Sequence, residues 1–399
     1  MKVASSTIFL LLISHLLSAQ LMLSGKIQDT ETNEPIPFAH IYSIEAGTTS
    51  NNEGEFTLKV SSLPIVLNVS HISYESKKFQ LNELSEGGLN ITLNLKATQL
   101  GDVFITPYNV IELVDNAVNK GLNDLSQKID AEIFYRQITT MDEEPTEMIE
   151  AFYDGITSAA GLENIELKNG RFAKNKSNDE ITYPSFVNFY YLSTIPVIQQ
   201  EINDFIFPIN NNYDSYYHYK LTKLLISKED SFEIAVVNYT PKETSLIAME
   251  GELYIDVKTH QIMKLTGTIS DNMGIQFEKS NISIEIENAI FHIDITFDRF
   301  QYDVPVLSTI NTNIDFDMIE NGSKKDIFVT STLFAYDHDI KNRNRSTERI
   351  GKDGDILKEI SKTKYRKRFW KDNPIIKRTL EEQNIIKSFE ELDLFKYQF

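Results

Sequence analysis

Cysteine is absent from the 399 residues. Disulfides, zinc–thiolate sites, a thiol nucleophile and a lipid anchor on an N-terminal cysteine are therefore excluded. Packing alone must hold the folded chain. Tryptophan occurs once, and Gly and Pro number only 16 and 11, too few for collagen-like or low-complexity structure. No apolar run reaches the roughly 20 residues of a membrane-spanning helix. A Gly-rich phosphate loop, a Gly-x-Ser-x-Gly elbow and a His-Glu pair at zinc-protease spacing are all missing.

Positive charge is scarce over most of the chain. The net charge is −19, but residues 341–378 hold 14 Lys/Arg against 5 Asp/Glu, leaving 25 basic against 53 acidic residues elsewhere. An acidic body argues against nucleic-acid binding, because affinity for phosphate rests on basic surface. The basic stretch reads as a solvated helix or a strap on the acidic body, or as a peripheral contact with anionic lipid or an acidic partner.

Against these absences, 41% hydrophobic and 11% aromatic residues are enough for real cores. The length predicts two or three domains. Lys2, the apolar run Ile8–Ile13 and the small Ala19 read as a cleavable export signal over residues 1–19.

Residues 20–97 show short strands parted by turn residues. Glu55–Val60 and Asn90–Leu95 alternate apolar and polar, and Asn51-Asn52-Glu53-Gly54 is a turn with Gly at a positive φ. Strands at roughly 8–12-residue spacing predict a β-sandwich. The motifs Gly25–Asp29, Glu34–Ile41, Gly47–Phe56 and His71–Glu75 fall in the order of the carboxypeptidase-regulatory-like domain, which this stretch resembles. That resemblance implies a seven-stranded, transthyretin-like Greek-key sandwich. It also implies an envelope protein of the Bacteroidota, here of a barrel-less type, since about 300 further residues are too few for a receptor barrel with its plug. The domain is not itself a peptidase. His71 and Glu75 stand four apart on a strand end and turn, where they share no helical face.

Residues 98–129 read as a linker, with a short strand at Val103–Ile105, and an amphipathic helix over Asn109–Leu125 with Asn109 as its cap. Residues 130–340 read as a β-rich domain. Glu147–Gly155 fits strand or short helix, Arg171–Thr182 reads as a polar loop, and Tyr183–Tyr219 is dense in Tyr and Phe. That aromatic stretch is core or, alternatively, a groove for peptide, glycan or lipid. From Lys220 onward the alternation is clean through Phe232–Val237, Ile247–Asp256, Gln261–Ile269, Ile282–Glu287, Phe291–Phe297, Leu307–Phe316 and Ile327–Phe334. One apolar and one wet face per strand predicts a large antiparallel meander, either curved around the helix or forming a half-barrel. Gly251–Asp256 with Thr259 and Ile262 resembles a hairpin of periplasmic lipoprotein-carrier-like folds, which implies a curved sheet around a hydrophobic cavity.

Candidate chemistry is thin. Asp294, Asp298 and Asp303, or Asp315 and Asp317 on one strand face, would suit calcium or glycoside chemistry; a solvated face is the simpler reading. Asp337-His338-Asp339 is the most ligand-like triplet and reads as a surface turn. No catalytic, cofactor-binding or metal-binding residue is assigned, no cofactor is expected, and the chain is read as no enzyme. Residues 341–399 form a basic, partly helical tail. Its Phe369-Trp370-Lys371-Asp372-Asn373-Pro374 stretch resembles the closing segment of barrel-less envelope proteins with the same front module. Leu380, Ile385, Ile386, Phe389 and Leu392, after Thr379 as cap, predict a short amphipathic helix. Trp370 is placed on the sheet or at a membrane interface.

The expected fold is mainly β: a Greek-key sandwich, then a larger curved antiparallel sheet (α+β) with a packing helix and a helical C-terminal tail. The expected role is a non-catalytic binding or scaffold protein of the bacterial outer envelope. It would lie in the periplasm, at the outer membrane or outside the cell. Its partner would be an envelope protein, a glycan or a lipid. A lipid or lipoprotein carrier is the alternative, and an uncharacterised hydrolase comes third.

Overall fold

The computed structural model describes residues 21–84, 86–99, 108–175, 186, 193, 195–200, 205–228, 233–243, 247–270, 284–299, 304–320, 322–339, 356–373 and 375–396. The export signal read at 1–19, the strand read at Val103–Ile105, Asp303 and much of the aromatic stretch before Ile195 lie outside the described residues. The chain divides into two compact units, Met1–Leu95 with Pro374–Thr379, and Lys96–Asn373 with Leu380–Phe399.

The first unit is a seven-stranded sandwich: β1 (Leu21–Asp29), β2 (His40–Tyr42), β3 (Gly47–Thr49), β4 (Glu55–Val60), β5 (Ile65–His71), β6 (Tyr74–Leu81) and β7 (Leu89–Leu93). One sheet has the order β4-β1-β7 and the other β3-β2-β5-β6. Alternation decides which side chains face inward. In β4, Phe56, Leu58 and Val60 are buried while Glu55, Thr57 and Lys59 are part-exposed. They meet Ile27, Ile41 and Leu67 in the core between the sheets. The turn before β4 is built by Asn51, whose Oδ1 accepts the N–H groups of Glu53 at 3.0 Å and Glu55 at 2.9 Å. Gly54 ends it at φ +72°, where an added Cβ would stand 2.5 Å from the Ile27 carbonyl.

The second unit opens with β8 (Ala97–Gln99), α1 (Val110–Asp124) and the long strands β9 (Ile129–Met141), β10 (Glu144–Ser158) and β11 (Gly161–Lys174). Next come β12 (Ile198–Gln199), β13 (Ile209–Asn210) and the short α2 (Tyr213–Tyr216). The meander follows: β14 (Tyr217–Ile226), β15 (Glu233–Pro241), β16 (Glu250–Asp256), β17 (Ile262–Ser270), β18 (Ile284–Asp298), β19 (Val306–Glu320) and β20 (Ser323–Asp339). The tail adds α3 (Ile356–Ser361), α4 (Lys367–Asp372), α5 (Leu380–Glu391) and a single helical turn at Leu394–Lys396. Eleven strands form one sheet in the order β11-β10-β9-β20-β19-β18-β17-β16-β15-β14-β8.

That sheet must curve. Laid flat, eleven strands would span about 50 Å at their usual spacing, several times the width of one helix. Yet Leu113, Val114, Ala117 and Val118 of α1 share one continuous core with inward residues of every strand from β14 to β20 and of β9 to β11. The helix forms where its sequence predicts: Asn109 Oδ1 accepts the Ile111 N–H at 3.0 Å, and the apolar stripe turns inward.

The other face of β9–β11 is covered by the tail. Ile385, Ile386 and Phe389 of α5, with Phe395, pack on Ile138, Met148 and Ala173. Beside them Trp370 is 2% exposed and lies 5.5 Å from the Phe152 ring. Trp370 therefore docks on the sheet.

Two local expectations are corrected. The polar loop read from Arg171 is still strand: β11 runs to Lys174 and Arg171 is buried. Asp337-His338-Asp339 is not a surface turn but the irregular end of β20, where Asp337 takes φ 50° and the register with β9 slips between Tyr336 and Asp339. The long partner β10 carries the pairing of β11 through Arg171–Lys174, and strand propensity of Phe334–Tyr336 with partner β9 carries β20 to Asp339. Among the described residues no helix is long and apolar enough to cross a membrane; strands are another matter.

Candidate binding cleft

At one end of the curved sheet the last turns of α1 stand apart from β17 and β18. Lys120, Gly121, Asp124 and Gln127 come from the helix and its exit, Gln261 and Ile262 from the β16–β17 turn and the start of β17, Phe297 from the end of β18, and Val304 and Pro305 from the β18–β19 connection. Ile129, Ala159 and Ile198 complete the lining of a cleft of about 450 Å³, mouth included. Its floor is apolar and its rim polar, the usual make-up of a small-ligand site.

Each element is fixed by local chemistry. Gly121 lets Ile198 approach the helix, since a Cβ there would sit 2.5 Å from Ile198 Cδ1. The β16–β17 turn is tied by Asp256, whose Oδ1 accepts the N–H groups of Lys258 at 3.0 Å and Thr259 at 2.8 Å. Arg299 closes onto the buried Asp256 Oδ2 and also donates to Thr259 Oγ1 at 3.1 Å and Gln261 Oε1 at 3.4 Å. On the helix side Lys120 pairs with Asp124, and Gln127 Nε2 donates to Asp124 Oδ1 at 3.1 Å. The rim charges thus neutralise one another.

The inner face beyond the cleft is filled. Phe186, Val197, Ile206, Phe207 and Ile209 are buried against the strands. The aromatic stretch, where described, is core. The hydroxyls of Tyr217 and Tyr219 each donate at 2.5 Å, to the carbonyls of Ile206 and Pro208, and Tyr239 donates to Thr266 O at 2.7 Å. Tyr213 donates to Asp115 Oδ1 at 3.2 Å, and burial with that carboxylate pushes its pKa up to about 12.

The carboxylates singled out from sequence lie elsewhere. Asp294 is paired with Lys264 at 2.6 Å on the outer face. Asp298 lies roughly 13 Å further along the same strand by the usual rise. Asp317 is held by Lys324 at 2.7 Å and Asn288 at 2.5 Å, which lower its pKa. Asp315 is raised by burial and by Asp326 and Asp317. His338 meets the Leu307 carbonyl at 2.8 Å through Nε2. His71 Nδ1 accepts the Ser73 N–H at 3.2 Å, while Glu75 is the second residue of β6. Among the described residues no group of three His, Asp or Glu gathers as a metal site would require.

A buried charge set escaped the sequence reading. Glu150 of β10 lies directly opposite Arg136 of β9 and Arg171 of β11. It accepts from Arg136 Nε at 2.8 Å and from Arg171 Nε at 2.8 Å. Glu382 of α5 accepts from Arg136 at 3.0 Å, and Glu390 stands 3.8 Å from Arg171. The Arg171 guanidinium lies between two rings, 4.9 Å from Trp370 and 4.5 Å from Phe395. Burial lowers the pKa of Arg136, but Glu382 and Glu150 outweigh it and raise it.

Residues 23–105 match the model of the CarboxypepD_reg-like domain. No curated protein matches the chain. Among solved structures, a LolA-superfamily protein from Nitrosomonas europaea is 13% identical at a TM-score of 0.23, over 60% of this chain and 96% of that one. A membrane-associated protein from Bacteroides fragilis is 10% identical at 0.16, over 80% and 98%. MucB in complex with MucA(peri) is 8% identical at 0.18, over 56% and 94%.

Proposed function

We propose that this chain is an exported, non-catalytic binding protein of a bacterial outer envelope, and that its second unit receives one apolar group of a partner in the cleft beside α1. Export is read from residues 1–19, and the envelope setting from the front domain. The observation that carries the binding reading is the cleft itself: Ile129, Ile198, Ile262 and Phe297 below, and Lys120, Asp124, Gln127 and Gln261 around the mouth. The enclosed space within it is only about 30 Å³, about one water molecule's share of volume, so it admits the tip of one apolar group and not a whole ligand. The carrier alternative needs room for a whole lipid, and Phe186, Phe207 and Ile209 already occupy the inner face. The reading is non-catalytic because the polar rim is internally paired.

The test is fluorescence titration with a dansylated eleven-carbon fatty acid. The mature protein should bind it saturably with a blue shift. Gly121→Leu, which crowds Ile198, and Val304→Glu, which puts a charge in the lining, should each weaken it at least tenfold while circular dichroism stays native. Equal binding by these variants, or none by the parent, sinks the reading.

A further inference from the structure

Residues 375–379 lie between α4 and α5 in sequence but belong to the sandwich unit. Their main chain is read by side chains of the β3–β4 turn. Thr48 Oγ1 donates to the Ile375 carbonyl at 2.6 Å, and Asn51 Nδ2 donates to the Lys377 carbonyl at 3.1 Å. Two carbonyls spaced by two residues are gripped, one on either side of Ile376, where the chain bends. The side chain between them, Ile376, is 3% exposed. Lys377 Nζ then reaches Glu55 Oε2 at 2.9 Å.

The turn is built for this. Asn51 uses its oxygen to hold the turn's own N–H groups and so presents its amide outward. Thr48 lies on β3, which among the described residues is an edge strand paired with β2, so its outer side can take a partner segment. Thr48 and Asn51 are themselves buried beside the segment. Three independent elements, carbonyl spacing, an aliphatic slot and an acidic end, specify one kind of ligand.

We propose that the N-terminal sandwich is a peptide-binding module. Its site is Thr48, Asn51 and Glu55, its ligand a short bent segment with an aliphatic residue followed by Lys, and its occupant in this chain residues 375–379. A peptide of that sequence binds in trans once the chain's own copy is removed.

The experiment replaces residues 375–379 by Gly-Ser-Gly-Ser-Gly in the full mature chain. It then titrates in a fluorescent peptide, Asn-Pro-Ile-Ile-Lys-Arg-Thr-Leu (residues 373–380), and follows anisotropy. Saturable binding is expected, at least tenfold tighter than to the parent chain, whose site is filled. A peptide carrying Ile376→Asp should bind at least tenfold more weakly. Glu55→Lys in the receptor should do the same, with recovery when the peptide carries Lys377→Glu. No saturable binding to a natively folded replacement chain, or equal binding of the Ile376→Asp peptide, overturns the proposal. Should the replacement chain not fold, trypsin decides it in the otherwise intact protein. Cleavage after Lys377 should speed at least fivefold in Thr48→Val and in Glu55→Lys, and unchanged rates overturn the proposal.

Discussion

The contacts of residues 375–379 with the sandwich include hydrogen bonds from Thr48 and Asn51 to main-chain carbonyls, the buried Ile376 and the part-exposed Lys377–Glu55 ion pair. Helix α5 begins one residue later and is held on the large sheet by a buried charge set under an aromatic cover. The ion pair of the first arrangement stays part-exposed, so losing it strands no buried charge. The second takes Arg136, Arg171 and Glu150 out of water, with side-chain exposures of 6%, 1% and 0%. Such a set contributes little net stability when complete, but breaking it strands a charge. The sandwich contact is therefore suited to exchange, and the helix contact to fixing one register of β9, β10 and β11.

The largest expected effect breaks the second arrangement. Glu150→Gln leaves two buried guanidiniums without their shared carboxylate and should destabilise the large unit by about 3–5 kcal/mol. The single tryptophan makes the readout local, since Trp370 lies against Arg171. Urea unfolding followed by its fluorescence reports this face alone. Glu382→Gln removes a partner that is 21% exposed and should cost about 1 kcal/mol. If the two variants cost the same, the charges are not acting as a buried set centred on Glu150.

Next in size is Ile376→Ala, which empties the aliphatic slot on the sandwich. Large-to-small changes at buried positions cost about 2–5 kcal/mol, and a site on a rim belongs at the low end, about 2 kcal/mol. Hydrogen exchange over residues 47–56 should quicken while Trp370 fluorescence stays unchanged. Faster exchange there together with a shifted Trp370 spectrum would mean that the two attachments are not independent.

The sequence made one side of this comparison far more legible than the other. Alternation announced the sandwich strands and those after Lys220, but not β10, which is buried on both faces; Asn109 announced the start of α1, and the Asn51–Gly54 turn was recognisable because Gly54 needs a positive φ. These signals are local. Arg136, Glu150 and Arg171 gave none, because an outward charge on a strand looks solvated until the register is known. Only the cross-strand pairs of Glu150 bring them together. Arg171 was further hidden by the Asn- and Lys-rich residues that follow it. The cleft was equally hidden, since Gly121, Gln261 and Phe297 converge only through sheet curvature. Residues 375–379 are too few to carry a period, so their partner turn was visible but its ligand was not.

The smallest expected effect sharpens the contrast between holding and choosing. Lys377 and Glu55 are 30% and 32% exposed, so water screens their attraction. Lys377→Met keeps the aliphatic stem and removes the charge, and should cost under about 0.5 kcal/mol. Salt should erase even that, because the Debye length shrinks to about 3 Å at 1 M. A reversed charge is different. Glu55→Lys sets two cations against each other, and discrimination of this kind comes from the penalty on the wrong pair more than from the gain on the right one. Hydrogen exchange over residues 47–56 at low and high salt separates the two. Lys377→Met should match the parent at high salt, and Glu55→Lys should exchange faster at low salt than at high. Salt-independent loss in Lys377→Met would show that the lysine acts through its stem, and Glu55 would then not be reading charge.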